Sequence, residues 1–320
     1  MRQLSAICLC VTALWASSAL AEDSASSWKD LTDDTPRADF FYLLMQDKNR
    51  ENGQPVPPAD AARSFALGNE FRFPHDTEFD DTAGVPRSNT VFGIDISHYT
   101  GRNLNLTKLK LQNVRFVYMK ATQGIGYKDA LFSYYWEGLA ALPESQRVLR
   151  GAYHFLSSSG DGVGQAKSFL RLIEESGGAT ASDMPPVLDL EWDVARGVAG
   201  DRWAGHTPDE IIQTALAWLS YVEEHGGQKK TPILYTTRSW WRERIGSEAK
   251  IASFGHYKIW IADYSASSRG IEVPAVPSGG KAVLWQFTEN GKLDSGYGGR
   301  LDGSIYKGTE QSFLADFQLQ

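Results

Sequence analysis

Pro185-Pro186-Val187-Leu188-Asp189-Leu190-Glu191-Trp192-Asp193 is the stretch on which the fold turns. An apolar, β-prone run opens on prolines and closes on acids, so residues 186–192 read as a strand with charged residues near its end. Side chains alternate faces along a strand, which sets Asp189 and Glu191 on one side. Leu188 and Leu190 then point the other way, into a layer that must be covered by apolar packing.

The same grammar recurs on both sides of this stretch. Residues 91–97, 116–121, 149–155, 232–236, 258–264 and 283–287 are further strand candidates. Amphipathic stretches separate several of them, notably 129–142, 164–175 and 208–224. The last has Thr207 placed as N-cap, Pro208 at the first helical position and Glu210 three residues after the cap. Repeated strand–helix alternation implies a parallel sheet covered by helices, and this many repeats predicts a barrel. Working residues of such barrels sit at the C-terminal ends of strands. The tail beyond Trp285 is rich in glycine and turn residues and reads as hairpin or loop, not as another strand–helix unit.

Upstream the character differs. Residues 1–21 carry Arg2, an apolar run from Leu4 to Trp15 and the small-residue ending Ala19-Leu20-Ala21. That is the three-part layout of a secretory leader cleaved after Ala21, and the run is too short to read as a membrane span. Both cysteines, Cys8 and Cys10, lie within it, so the mature chain is expected to hold neither a disulfide nor a thiolate metal site. Residues 22–90 are broken by Asp33-Asp34, Pro36, Asn52-Gly53 and Pro55-Val56-Pro57-Pro58. They read as an irregular extension in which Phe40-Phe41-Tyr42-Leu43-Leu44 is the one helix candidate; residues 91–320 form the main domain.

Lys and Arg number 32 against 39 Asp and Glu, a net charge of −7, and losing Arg2 with the leader makes the mature chain more acidic. Nucleic-acid binding runs on an excess of cationic side chains and is disfavoured. The six histidines show no metal-ligand spacing. No phosphate-binding glycine loop, dinucleotide fingerprint or Gly-x-Ser-x-Gly elbow stands in the right context. Ten Trp and thirteen Tyr exceed ordinary packing needs and suit a groove that stacks on sugars, although a tight core accounts for aromatics equally well.

The chemistry-bearing residues are acids at strand ends: Asp95, Asp189, Glu191 and Asp263, with Asp302 in the tail. Two carboxylates sharing a face of an interior strand repel, and they persist together when one holds a proton or both face a wet cleft. An acid beside an ionised partner is what glycosidic cleavage requires. The proton goes to the leaving oxygen, and the negative charge stabilises an oxocarbenium-like centre. The plainer alternative makes them solvated strand-end acids, or ion-pair partners of Lys120, Arg150 or Arg238. Tyr99, Tyr153, Tyr235 and Trp285 are candidates to line a groove, with Lys120, His154 and Asp263 beside them. A lone histidine such as His154 is more often a hydrogen-bonded core group than a base.

Read in order, these segments resemble the glycoside hydrolase family 25 lysozymes, the Chalaropsis-type muramidases. The resemblance spans about 91–313. It is carried by Gly93-Ile94-Asp95-Ile96-Ser97-His98-Tyr99, Phe116-Val117-Tyr118-Met119-Lys120-Ala121-Thr122-Gln123-Gly124, Gly151-Ala152-Tyr153-His154-Phe155, Val187-Leu188-Asp189-Leu190-Glu191, Ile233-Leu234-Tyr235-Thr236, Ile259-Trp260-Ile261-Ala262 and Trp285-Gln286-Phe287-Thr288. It implies an α/β fold, an irregular (β/α) barrel of the TIM-like type with fewer helices than the regular eightfold form. It implies hydrolysis of the β-1,4 bond between N-acetylmuramic acid and N-acetylglucosamine in peptidoglycan. Glu191 then matches the proton donor and Asp189 the nucleophile or stabiliser, with Asp95 and Asp302 as supporting acids and no cofactor or metal. Two departures accompany the match: Thr100-Gly101 where the family often has Gln-Gly, and Asp302-Gly303-Ser304 where it usually has Asp-x-Asn.

The expected partner is therefore a peptidoglycan glycan strand, met in the periplasm or outside the cell. Two other readings stay open on the sequence: a catalytically silent peptidoglycan-binding barrel, and a glycosidase acting on another N-acetylglucosamine polymer.

Overall fold

The computed structural model describes residues 70–81, 83–194 and 200–319. The expected leader, its expected cleavage site and the helix candidate at 40–44 lie outside the described residues.

Ten strands form one sheet, and eight of them close into a barrel. In chain order the strands are β1 (Phe71–Phe73), β2 (Phe79–Asp80), β3 (Val85–Pro86), β4 (Thr90–Ile96), β5 (Phe116–Gln123), β6 (Tyr127–Lys128), β7 (Leu149–Phe155), β8 (Val187–Asp189), β9 (Ile233–Thr237), β10 (Lys258–Ala262), β11 (Ala282–Leu293) and β12 (Leu301–Lys307). From β4 through β5, β7, β8, β9, β10 and β11 the barrel pairings are all parallel. β12 then runs back antiparallel to both β11 and β4 and closes the ring. The expected tail hairpin is thus the closure of the barrel.

The α-helices are α1 (His75–Glu78), α2 (Phe132–Ala140), α3 (Gly162–Glu175), α4 (Pro208–His225), α5 (Arg238–Arg244), α6 (Ala266–Ile271) and α7 (Glu310–Asp316). Between β4 and β5 the crossover is a 3-10 segment, Leu106–Gln112. This is the irregular barrel, short of regular helices, that the resemblance implies.

α4 begins as its sequence dictates. Thr207 Oγ1 accepts from the Glu210 N–H at 3.3 Å while Glu210 Oε2 accepts from the Thr207 N–H at 2.7 Å, and Pro208 opens the first turn. Ile211, Ala215, Trp218, Leu219 and Val222 recur at helical spacing and form the buried stripe.

Alternation along the strands divides the core in two. Ile94, Ile96, Val117, Met119, Leu188, Leu234 and Ile261 belong to the outer layer beneath the helices. Phe116, Tyr118, Val187, Ile233, Trp260, Leu284 and Tyr306 fill the barrel. Gly93 and Gly151 make room for this filling, since a Cβ at either would stand 2.3 Å from the ring of Phe116 or Tyr118. At the N-terminal mouth α7 acts as a plug, with Phe313 stacked on Phe116 at 5.6 Å between centroids. The lower barrel is therefore filled, and the C-terminal mouth takes the acidic side chains Asp95 and Asp189.

The described end of the N-terminal region is built into this body. β1 adds to β11 in parallel, Phe71 against Gly291 through Phe73 against Leu293. Phe71 and Phe73 bury against Phe92 and Phe287. No described helix is long and apolar enough to cross a membrane.

Candidate active site

β8 delivers the central acid. Its three residues are all buried, and Asp189 is the last of them, 5% exposed. Its neighbours in register are Phe155 on β7 and Tyr235 on β9. The strand is shorter than residues 186–192. The Leu190 N–H still donates to the Tyr235 carbonyl at 2.9 Å, but the chain turns out of the sheet at Glu191. Glu191 is 6% exposed, and Leu188 and Leu190 are fully buried in the outer layer.

Asp189 shares a solvent-open cleft at the C-terminal mouth with Asp95, Tyr153, Val187, Tyr235, Trp260 and Gln286. Asp95 comes from β4 and is 8% exposed. Asp302, at the start of β12, is its direct cross-strand partner. Three candidate acids thus meet at one end of the barrel, Asp95 and Asp302 across the closing seam and Asp189 at the end of β8, with Glu191 two residues further along the chain.

Gln286 organises the floor between them. It is 1% exposed, its Oε1 accepts from Tyr235 Oη at 2.8 Å and from Tyr264 Oη at 2.5 Å, and its Nε2 donates to Asp95 Oδ2 at 2.7 Å. Sequence reasoning nominates the adjacent Trp285 instead. Alternation turns Trp285 outward, where its indole N–H donates to the Asp263 carbonyl at 2.8 Å, and sends Gln286 inward. Leu284 in the barrel filling is the signal that fixes this phase.

The remaining candidates separate by face. Tyr153 pairs with Lys120 across β5 and β7. Lys120 donates to Gln123 Oε1 at 2.8 Å and lies 4.8 Å from the centre of the Phe155 ring. Tyr99 is 53% exposed on the turn His98–Thr100, where Thr100 completes a capping box with Ser97. Asp263 builds a turn, accepting from the Ser265 N–H at 3.0 Å and the Ala275 N–H at 2.7 Å. Burial raises its carboxyl, and hydrogen bonds from Ser268, Ala275 and Ser265 outweigh that and hold it below the usual range.

His154 does not reach the cleft. It faces the outer layer with no exposure, stacked on Trp218 at 5.5 Å. Its Nε2–H donates to Gln165 Oε1 at 3.1 Å and its Nδ1 accepts from Thr122 Oγ1 at 2.7 Å. Burial drives its pKa down to about 3, against the opposing hydrogen bond with Gln165. Such an imidazole is a neutral packing group.

The loop that carries Glu191 is clasped from below. Fully buried Asp193 accepts through Oδ2 from the Ser158 N–H at 2.6 Å, Ser158 Oγ at 2.8 Å and Ser157 Oγ at 3.1 Å, and through Oδ1 from Arg202. Asp201 accepts from the Asp193 N–H at 2.8 Å and from Arg244 Nε at 2.5 Å. Burial pushes the Asp201 carboxyl up, only partly offset by these bonds. The second departure from the family pattern also has a local role, because Ser304 Oγ accepts the Trp260 indole N–H at 3.1 Å inside the barrel.

Comparison with known proteins agrees with this architecture. The model of the family described as "Glycosyl hydrolases family 25" matches residues 94–296. Lysozyme M1 of Streptomyces globisporus is 28% identical over 247 residues, covering 73% of this chain and 74% of its own. An N,O-diacetylmuramidase of Chalaropsis sp. is 28% identical over 206 residues, covering 62% of this chain and 89% of its own. Among solved structures, the bacterial lysozyme of Streptomyces coelicolor superposes with a TM-score of 0.59 at 27% identity, over 71% of this chain and 97% of that one. The matched span runs from the first barrel strand, through every acid-bearing parallel strand, to the hairpin before β12, and the chain belongs to glycosyl hydrolases family 25 and is a glycoside hydrolase.

Proposed function

We propose that the chain is an exported muramidase that hydrolyses the β-1,4 bond between N-acetylmuramic acid and N-acetylglucosamine in peptidoglycan. The observation that carries this reading is Asp189, 5% exposed at the C-terminal end of β8, sharing one cleft with Asp95. Carboxylates gathered where little water reaches them resist ionising together, so one of the set holds a proton at neutral pH. Glu191, two residues beyond Asp189, takes that role and gives its proton to the glycosidic oxygen as the bond to the sugar carbon breaks. Asp189 stays ionised and stabilises the positive charge that develops at that carbon, by direct attack or by orienting the substrate's own acetamido oxygen. Asp95 and Asp302 add negative potential at the same mouth. Water then completes the hydrolysis and returns a proton to Glu191. The names of the lysozyme and muramidase relatives support the choice of polymer.

The test is mass spectrometry of fragments released from purified peptidoglycan, after borohydride reduction of the new ends. Reduced muramic acid ends are expected. Reduced glucosamine ends would name a different bond, and no release by folded protein would return the chain to the binding-protein reading.

Export rests on residues 1–21, with cleavage after Ala21. Mature protein collected outside the cytoplasm is expected to begin at Glu22, and retention of the leader would sink the assignment. The division into an extension, 22–90, and a catalytic barrel, 91–320, belongs to the same proposal. The described part of that extension contributes β1 to the barrel wall.

A further inference from the structure

We infer that Gln286 is a positioning residue whose amide, oriented by the Tyr235 and Tyr264 hydroxyls, holds Asp95 in the hydrogen-bond-accepting, ionised form during turnover. This rests on the proposed catalytic reading of the acidic cleft and deepens it.

An amide has two unlike ends, and the surrounding groups decide which end faces which way. Tyr235 lies on β9 and Tyr264 follows β10, yet both hydroxyls converge on the Gln286 oxygen, at 2.8 Å and 2.5 Å. With that oxygen taken, the NH₂ group must face Asp95, and it does so at 2.7 Å. The reverse orientation would set an amide oxygen against a carboxylate oxygen, two acceptors with no hydrogen between them unless Asp95 were protonated. Gln286 is 1% exposed, so water cannot readily stand in for any of these bonds.

The other groups facing Asp95 leave this donor with a clear task. Asp302 is opposite on β12, and Asp189 lines the same cleft from the end of β8. Both carboxylates disfavour a further negative charge. From β5, Tyr118 is the neighbour in register, but its hydroxyl donates to the Pro185 carbonyl at 3.1 Å and is committed elsewhere. Tyr153 on β7 lines the same cleft. A directed donor from Gln286 therefore opposes the repulsion of two acids and keeps Asp95 from competing with Glu191 for the proton that the reaction needs.

The test uses the full chain and a soluble oligosaccharide of alternating N-acetylglucosamine and N-acetylmuramic acid. Gln286→Glu keeps the side-chain length and an acceptor for both tyrosines but loses the donor to Asp95. We expect kcat to fall about 10- to 100-fold, as loss of a hydrogen bond to a charged group implies. KM should stay within about threefold, because the change acts on charge and not on sugar contacts. The acidic limb of the kcat/KM profile should move to higher pH, a shift that a purely structural defect would not produce.

Tyr264→Phe completes a double-mutant cycle. It should lower kcat in the wild-type background and have little further effect in Gln286→Glu. Gln286→Glu with near-wild-type kcat and an unmoved profile would overturn the inference, and so would equal Tyr264→Phe losses in both backgrounds. An active wild type beside such results leaves the muramidase reading standing. A folded wild type that turns over nothing removes both.

Discussion

Asp95 and Asp302 stand directly opposite one another across the antiparallel β4–β12 seam, the first strand of the barrel against the last. Like charges placed so destabilise a strand pair by about 0.2–1 kcal/mol. Retaining them in a barrel that has closed this way points to use, not stability. Asp302→Asn should therefore raise the melting temperature by about 1–3 °C while lowering turnover several-fold. Thermal melts and reducing-end release on the same preparation check both directions, and a variant that is no more stable and fully active would remove Asp302 from the site.

Glu191→Gln removes the proposed proton donor with little change of shape. Turnover should drop by about 10²–10⁴-fold, the usual contribution of a positioned acid. The melting temperature should stay close to wild type, which separates lost chemistry from lost structure. Substantial residual hydrolysis would transfer the acid role to another carboxyl.

Asp193 makes no claim on the substrate, yet its loss should cost both fold and rate. Asp193→Ala strips acceptors from the Ser158 N–H, two serine hydroxyls and Arg202 in a place with no exposure. Arg202 remains about a quarter exposed, its side chain at 28%, so water recovers part of the loss. A destabilisation of about 2–3 kcal/mol and a melting shift of roughly 5–10 °C are expected. Turnover should fall as well, because the clasp sits two residues from Glu191. Unchanged melting in Asp193→Ala would falsify the clasp.

His154 predicts a pH dependence of stability whose sign follows from its burial. Its folded-state pKa of about 3 lies below the ordinary 6.5. Between those values the unfolded chain binds the proton and the folded chain does not. The contribution of a buried neutral His154 is complete above about pH 6.5 and is lost as pH falls towards 3, by up to about 1.4 kcal/mol per pH unit. Denaturant unfolding at several pH values should show His154→Gln with a shallower slope than wild type between pH 6.5 and pH 4. Equal slopes would mean that the imidazole does protonate within the fold.

The barrel was legible because its strands obey period two and its helices carry ordinary caps, as at Thr207 and Glu210. Asp189 and Asp95 were legible because a carboxylate at the end of an apolar strand costs stability unless it meets water, a partner or a substrate. What stayed hidden depends on phase and on register. Trp285 and Gln286 are neighbours, and only the inward position of Leu284 tells which of them meets the cleft. Tyr153 and His154 pose the same choice on β7, complicated by an irregularity of the β5–β7 pairing between Lys120 and Thr122. β8 stops at Asp189, so Glu191 owes its place to a loop held by Asp193, Asp201, Arg202 and Arg244, whose partners lie on other segments. No local pattern announces a clasp of that kind. Pairing of β1 with β11 joins residues from opposite ends of the barrel sequence, which periodicity cannot foresee.

The closing strand also sets an order of events during synthesis. β12 leaves the ribosome after the other seven barrel strands, and among the described strands it alone joins β4 to β11. Until residues 301–307 emerge, Asp95 lacks its cross-strand neighbour and the sheet keeps two open edges. A nascent chain that already holds Asp189 and Glu191 has no finished mouth in which to use them. Catalytic competence thus waits for residues 301–307, and a stop codon before them should yield a chain with Asp95, Asp189 and Glu191 and none of the activity.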